Sequence, residues 1–430
     1  MGILASGCLV SAAAQADPGL AASDQFPEVD SKKGLQVELA DDAIALGVRH
    51  AAINVDLSRL IAPAAAPGAG DRYLQREHGG RSFAWRTDYL HALEGTIRQL
   101  HDGGALVYVI LLTYEQPDPR VNQIMLHPDY DPTAPNHLGA WNFRTDDGRA
   151  WLAATLDLLA ERWSGGEESS GEVAGYIVSN EVNSHWYWHN QGRAGLQQVV
   201  ADYADAVRLV HTAVRRHAAW PRVYLSLDHH WGIAYPAGGA DQCLAGKDFV
   251  DAFARCVKQA PGGDFDWHVA YHPYPENLFE PRFWQDKSAT AAPDTPRITF
   301  KNLEVLTTYL ERPELLHDGR PRRVILSEQG FHSPPGEEGE TLQAAAYCYA
   351  YAKVDRLAGV DAFILHRHID HPHEGGLNLG LRRRTPGAAD SHPKKKIYDC
   401  FRAAGTPEWE AASAFALPVV GLESWDEAGR

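Results

Sequence analysis

Apolar residues recur along this chain at two spacings, and the two alternate. Leu35, Leu39, Ala43 and Leu46 fall at helical intervals, and the apolar run "HAAINVDL" follows them. Leu90, Leu93, Ile97 and Leu100 make a second stripe, which Gly103-Gly104 stops before "ALVYVILLT". The same order repeats with Leu152, Leu156, Leu159 and Trp163 before "AGYIVSNE", and with Leu196, Val200, Tyr203, Val207, Val210 and Val214 before "RVYLSLDHH". Phe249, Phe253 and Val257 precede "FDWHVAYHPYP", and Leu303, Leu306 and Leu310 precede "RRVILSEQG". An Ala/Tyr-rich stretch over 341–357 precedes "DAFILHRH", and Ile397 and Phe401 sit on a last helix.

The pattern predicts seven strands, each preceded by a helix. The runs are continuously apolar rather than alternating, as in parallel strands covered on both faces. Segments rich in Pro, Gly, Asp and Asn at 57–86, 113–148 and 274–299 read as long loops. A doubly wound sheet would give the same alternation, but no strand is followed by a GxGxxG or Walker-type turn. The expected fold is therefore α/β, a (β/α)8 TIM barrel with long βα loops over residues 31–405. A C-terminal tail, 406–430, packs on it or extends from it. The eighth strand, first in the chain, is expected within residues 1–30, at "GILASGCLVS". The same N-terminal stretch also reads as a signal remnant, because Ala14-Gln15-Ala16 resembles a cleavage site although a basic n-region is lacking. Export and cytoplasmic residence both stay open.

Composition narrows the function. A hydrophobic fraction of 44% with 22% charged residues belongs to a folded globular chain. A net charge of -16 argues against nucleic acid and anionic membrane as partners, since both call for basic patches. No run is long enough for a membrane span. The 12 Trp, 17 Tyr and 21 His supply flat faces and hydrogen-bonding tips suited to a sugar-lined cleft. The five cysteines form no metal-type cluster; Cys243 and Cys256 could close one loop, and buried free thiols are the simpler reading.

In a barrel, polar groups just past the strand C-termini converge on one mouth. Here those groups are Asn180 and Glu181, then Asp228, His229 and His230, then His272 and Tyr274, then Glu328 and Gln329, then His366 and His368. Glu181 and Glu328 each end a well-defined apolar run. A carboxylate at that depth is costly unless it is paired or used. The plain alternative is an ion pair with a neighbouring arginine, Arg222 or Arg323. Two glutamates facing each other have a specific use in cleaving a glycosidic bond, which needs one acid for the leaving oxygen and one carboxylate at the anomeric carbon.

Apolar strand-Asn-Glu on the fourth strand and apolar strand-Glu on the seventh resemble clan A glycoside hydrolases, the large (β/α)8 group of retaining enzymes. The wording of "SKKGLQVELADDAIALGVRHAAINVDLSRLI" and "NEVNSHWYWHN" is similar to a poorly characterised bacterial family within that clan. The resemblance implies Glu181 as acid/base, Glu328 as nucleophile and Asn180 as partner of the sugar 2-hydroxyl. It also implies that His272 or Tyr274 stands beside the nucleophile. Two departures are visible: Asn-Glu-Val replaces the usual Asn-Glu-Pro, and His366 and His368 stand where the clan has a strand-eight Trp. The expected activity is retaining hydrolysis of O-glycosidic bonds in a poly- or oligosaccharide, without cofactor or metal. Trp186 and Trp188, with Tyr187, would stack on sugar rings, while Asn183, His185, His230, His366 and His368 would bond hydroxyls.

Two rival readings remain. "HRHIDHPHE" gathers His366, His368, His371 and His373 near Asp370 and Glu374, a composition that could ligate a metal and activate water. A non-catalytic carbohydrate-binding barrel would need the aromatic mouth but neither glutamate. Nucleophiles of other kinds are poorly placed, with no GxSxG elbow and no cysteine at a strand end beside a histidine.

Overall fold

The apolar runs fold as parallel strands because both of their faces find cover, one inside the barrel and one under helices. The computed structural model describes residues 25–64, 70–165, 171–387 and 392–429. Its eight barrel strands are β1 Lys33–Gln36, β2 His50–Asp56, β3 Leu106–Leu112, β4 Gly175–Val178, β5 Arg222–Asp228, β6 Trp267–His272, β7 Val324–Leu326 and β8 Val360–Leu365. Each pairs in parallel with its neighbours in sequence, and β8 pairs with β1 to close the barrel. This is the (β/α)8 TIM barrel. Helices between the strands form the outer layer, among them Thr87–Asp102, Asp146–Arg162, Leu196–His217, Gly246–Gln259 and Glu337–Arg356.

The interior is filled by one residue in two from successive strands, including Ala52, Tyr108, Ile110, Ile177, Tyr224, Ala270, Ile325, Ala362 and Ile364. The opposite face of the same strands packs with the helices into a second, larger core. Continuing the inward alternation one step toward the strand C-termini brings up polar side chains, among them Gln36, Ser226, His272, Ser327 and His366. The packed interior thus ends in a polar floor.

The first strand differs from expectation. It is Lys33–Gln36, inside the stretch whose apolar spacing reads as helical; the helix there starts only at Ala40 and runs to Ala45. A four-residue strand with Lys and Gln at its ends is too short and too polar to declare a period. The expected strand "GILASGCLVS" lies outside the described residues. The insertion at 57–86 carries a short helix, Leu57–Leu60, and an antiparallel hairpin of Tyr73–His78 with Arg81–Arg86. Residues 406–429 fold back on the barrel, with Trp409 against Tyr351 at 5.1 Å between ring centres and against Trp425 at 6.1 Å. Cys243, Cys256, Cys348 and Cys400 are free thiols, so no bridge joins Cys243 to Cys256. Among the described residues no helix is long and apolar enough to cross a membrane.

The lower interior tests this packing. Gly175 opens β4 where a Cβ would lie 2.4 Å from Tyr108 Cδ1 and 2.9 Å from Tyr224 Cε2. Those two rings are themselves in edge contact at 6.0 Å. Gly175→Ala should therefore overpack the barrel and cost about 1–3 kcal/mol. A chemical denaturation midpoint unchanged from the parent would contradict the described filling.

Candidate active site

The mouth is built on the turn that ends β4. Ser179 and Glu181 both take left-handed backbone conformations, with φ of 60° and 38°. Such conformations cost non-glycine residues on the order of 1–3 kcal/mol each and persist only where neighbours impose them. Here the neighbours are specific: Ser179 Oγ lies 2.6 Å from His189 Nδ1, and the Glu181 amide donates to Ser226 Oγ at 3.0 Å. The turn swings the Glu181 carboxyl toward β6 and β7.

There it meets its counterpart. A carboxyl oxygen of Glu181, a ring nitrogen of His272 and a carboxyl oxygen of Glu328 all lie within 4.8 Å of one another. His272 links two of the elements, with Nδ1 2.8 Å from Glu181 Oε1 and Nε2 3.0 Å from Ser327 Oγ. Glu328 is held on both oxygens: Tyr274 OH donates to Oε1 at 3.2 Å and Gln36 Nε2 to Oε2 at 3.3 Å. Neither glutamate forms an ion pair with an arginine among the described residues. Arg222 and Arg323 both bind Asp361, at 2.7 Å through Nη1 and 3.0 Å through Nε, toward the other end of the strands.

The two carboxyls are pushed apart electrostatically. Burial is the largest influence on Glu181 and raises its pKa, with Asp228 and Glu328 adding to it and the His272 bond only partly opposing. Burial acts the same way on Glu328, but the His366 and His272 charges and the Gln36 hydrogen bond outweigh it, so its pKa is lowered. Burial works against protonation of His272, yet the Glu181 bond and the Glu328 charge more than reverse this and raise its pKa. One carboxyl is thus biased toward the neutral form and the other toward the anion.

Of the residues expected at the site, Glu181 is bonded to His272 and Glu328 to Tyr274, and His366 joins the Glu328 side through Gln36, its Nδ1 2.7 Å from Gln36 Oε1. Asn180 is mostly buried beside Glu181, and its side chain has no hydrogen-bond partner among the described residues. Trp186 and Trp188 are half-buried; Trp186 Nε1 donates to Asp131 at 3.0 Å, and Trp188 packs on the upper end of the interior core.

Four expected ligand contacts are corrected by burial. Asn183 has no exposed surface and is spent on Asp228, donating to Oδ1 at 2.6 Å and accepting from its amide at 2.9 Å. His185 is likewise fully enclosed, and burial lowers its pKa to about 4. His230 is tucked against His229 and Tyr235, with Nδ1 3.1 Å from Asp228. His368 is fully buried, with Nε2 2.8 Å from Asp42 and Nδ1 accepting from the Leu39 amide. Asn183 and His368 fasten loops from beneath. The sequence stretch alone cannot distinguish a loop's fastening from its outward face.

Gln36, Ser226 and Ser327 were not foreseen. Gln36 was hidden by the helical spacing around it, and the two serines are too common at strand ends to signal anything. Tyr114, just past β3, is a further one: burial and the Asp56 and Glu328 charges push its phenol up to about 12.

Among the described residues, the group of three histidine, cysteine or carboxylate donors close enough to share an ion is Glu181, His272 and Glu328. The histidine-rich segment does not converge. His368 turns to Asp42, His366 to Gln36, and His371 and His373 meet edge to face at 5.5 Å between ring centres.

The fold matches that of a family 39 glycoside hydrolase from Bacteroides cellulosilyticus WH2 with a TM-score of 0.53 at 17% identity. That match covers 89% of this chain and 65% of the other, so the chain spans just under two thirds of that enzyme's length. A hyperthermophilic beta-glucosidase from Pyrococcus furiosus matches with a TM-score of 0.56 at 15% identity, over 88% of this chain and 86% of that one. At such identities the likeness is one of fold, the eight-stranded parallel barrel. No curated protein matches the chain. A family model does, over residues 25–428, and the chain therefore belongs to the family of unknown function DUF5722.

Proposed function

We propose that this protein is a retaining glycoside hydrolase acting on O-glycosidic bonds of a poly- or oligosaccharide, with Glu328 as nucleophile and Glu181 as general acid/base. The observation that carries the reading is the approach of the two carboxyl groups to within 4.8 Å. Retaining enzymes hold their pair about 5–5.5 Å apart, while inverting enzymes leave a wider gap for water. The opposed pKa shifts support the same roles, because the first step needs Glu181 protonated and Glu328 ionised. The glycosidase names of the two fold neighbours are consistent with it.

In this mechanism Glu328 attacks the anomeric carbon while Glu181 gives its proton to the departing oxygen. Glu181, now a carboxylate beside His272, then takes a proton from the water that releases the sugar. Asn180, unpartnered beside Glu181, would meet the sugar 2-hydroxyl. Trp186 and Trp188 lie on the loop that continues from the acid and would face the leaving portion of the chain.

Glu328→Gln should reduce kcat on the order of 10⁴-fold or more while leaving the folded state intact, as loss of a nucleophile does. Parent-like turnover would remove Glu328 from that role. A protein that binds oligosaccharide equally with and without Glu328 and never cleaves it would instead be a binding barrel. Glu181→Ala should slow substrates with poor leaving groups by about 10²–10⁴-fold and activated aryl glycosides much less, since these need little protonation. Equal losses on both would refute the acid role. The pH profile of kcat/KM should be a bell. Its acid limb lies below the ordinary glutamate value of 4.5, because Glu328 is lowered and must be ionised. Its alkaline limb lies above 4.5, because Glu181 is raised and must keep its proton. The alkaline limb reports the Glu181–His272 pair rather than either group alone. A rate still climbing with pH well above neutrality would contradict the assignment.

A further inference from the structure

The barrel closes at the seam between β1 and β8, and the register there runs Lys33 with Phe363, Gly34 with Ile364 and Leu35 with Leu365. The next rung is Gln36 and His366, two polar side chains on the inward face at the level of Glu328. We propose that Gln36 and His366 are positioning residues for Glu328, a hydrogen-bonded arm that aims the attacking carboxylate from this seam; the inference rests on the hydrolase reading above.

The polarity of one amide sets the direction of this arm. Gln36 carries its acceptor and its donor on the same flat group. Its Oε1 lies 2.7 Å from His366 Nδ1, and its Nε2 donates to Glu328 Oε2 at 3.3 Å and to the Ser327 carbonyl at 3.2 Å. With hydrogen on His366 Nδ1, turning the amide over would set two donors face to face and an oxygen against the carboxylate. The histidine therefore decides which way the glutamine points.

His366 is fixed in turn. Its Nε2 is 3.5 Å from Glu374 Oε1, Glu374 is bound by Arg367, and Arg367 Nε and Nη2 each donate to Glu38 Oε1 at 3.1 Å. Both ring nitrogens of His366 thus face oxygen atoms, Gln36 Oε1 on one side and Glu374 Oε1 on the other. His366 is the strongest of the influences that lower the Glu328 pKa against its burial. The other groups facing Glu328 are Tyr114 just past β3, Glu181 from the turn after β4, His272 at the end of β6, Tyr274 just past it and Glu374 from the segment after β8. No bond from this arm reaches Glu181, so its effect falls on one carboxyl of the pair.

Two readouts test the arm. Kinetics with an activated aryl glycoside should give, for Gln36→Ala and for His366→Phe, a fall in kcat of about 10–100-fold with KM nearly unchanged, the scale of a misaimed reacting group. The double variant should lose little more than the worse single one, because both act through the same amide. The acid limb of kcat/KM should move to higher pH in both, since each loses something that favours the Glu328 anion. Independent of turnover, carbon-13 NMR of protein labelled at the glutamate carboxyl carbons should show Glu328 titrating at higher pH in His366→Phe. An unmoved Glu328 titration, or single losses that multiply in the double variant, would overturn the arm. If the parent protein cleaves no glycoside at all, the hydrolase reading fails, and the NMR titration alone decides whether the arm holds Glu328. Should His366→Phe not fold, Gln36→Ala carries the same titration test from the other end of the chain.

Discussion

Two carboxyl groups held within 4.8 Å at the barrel mouth are the constraint on which the rest of this molecule turns. At that distance two full negative charges repel by roughly 3–4 kcal/mol at an effective dielectric constant near 20, and more where water is excluded. The protein answers by dividing the pair. Burial and neighbouring acids keep Glu181 toward its protonated form, while the electrostatic influence of His366 and His272 and the Gln36 hydrogen bond keep Glu328 toward its anion. His272 stands between them, favouring the anion at Glu328 and partly opposing the upward shift of Glu181.

The barrel's contribution is to bring chain-distant residues to one level. Asp228 and His272 are register partners across β5 and β6, and Gln36 and His366 follow the last registered rung of β1 and β8. None of these placements depends on a long flexible loop. Loop residues enter as fasteners instead: Asn183 grips Asp228, and the Leu244 amide donates to the Asn183 carbonyl at 2.6 Å. The segment after β4 is thereby tied to the segment after β5 before any ligand arrives.

Much of this was legible in the residues alone, for a physical reason. A strand buried on both faces must be apolar along its length, so a polar side chain that ends it stands out, as Glu181, His272, Glu328 and His366 do. Gln36 did not stand out, because its strand is only four residues long and already polar at both ends. Asn183, His185, His230 and His368 misled for the opposite reason. They are polar, close in sequence to the mouth and suited to hydroxyls, yet each is enclosed, and for Asn183 and His368 the enclosing partners, Asp228 and Asp42, lie tens or hundreds of positions away.

The left-handed turn at Ser179 and Glu181 has a consequence for how such a protein can diversify. The turn is pinned by Ser226 and His189, whereas the rings of Trp186 and Tyr187 are held by different partners, Asp131 and Tyr235. The acid and the aromatic rim therefore hang from separate attachments although only a few residues divide them. A descendant could exchange Trp186 or Tyr187 for another side chain, and so greet a different carbohydrate, while inheriting the acid unmoved.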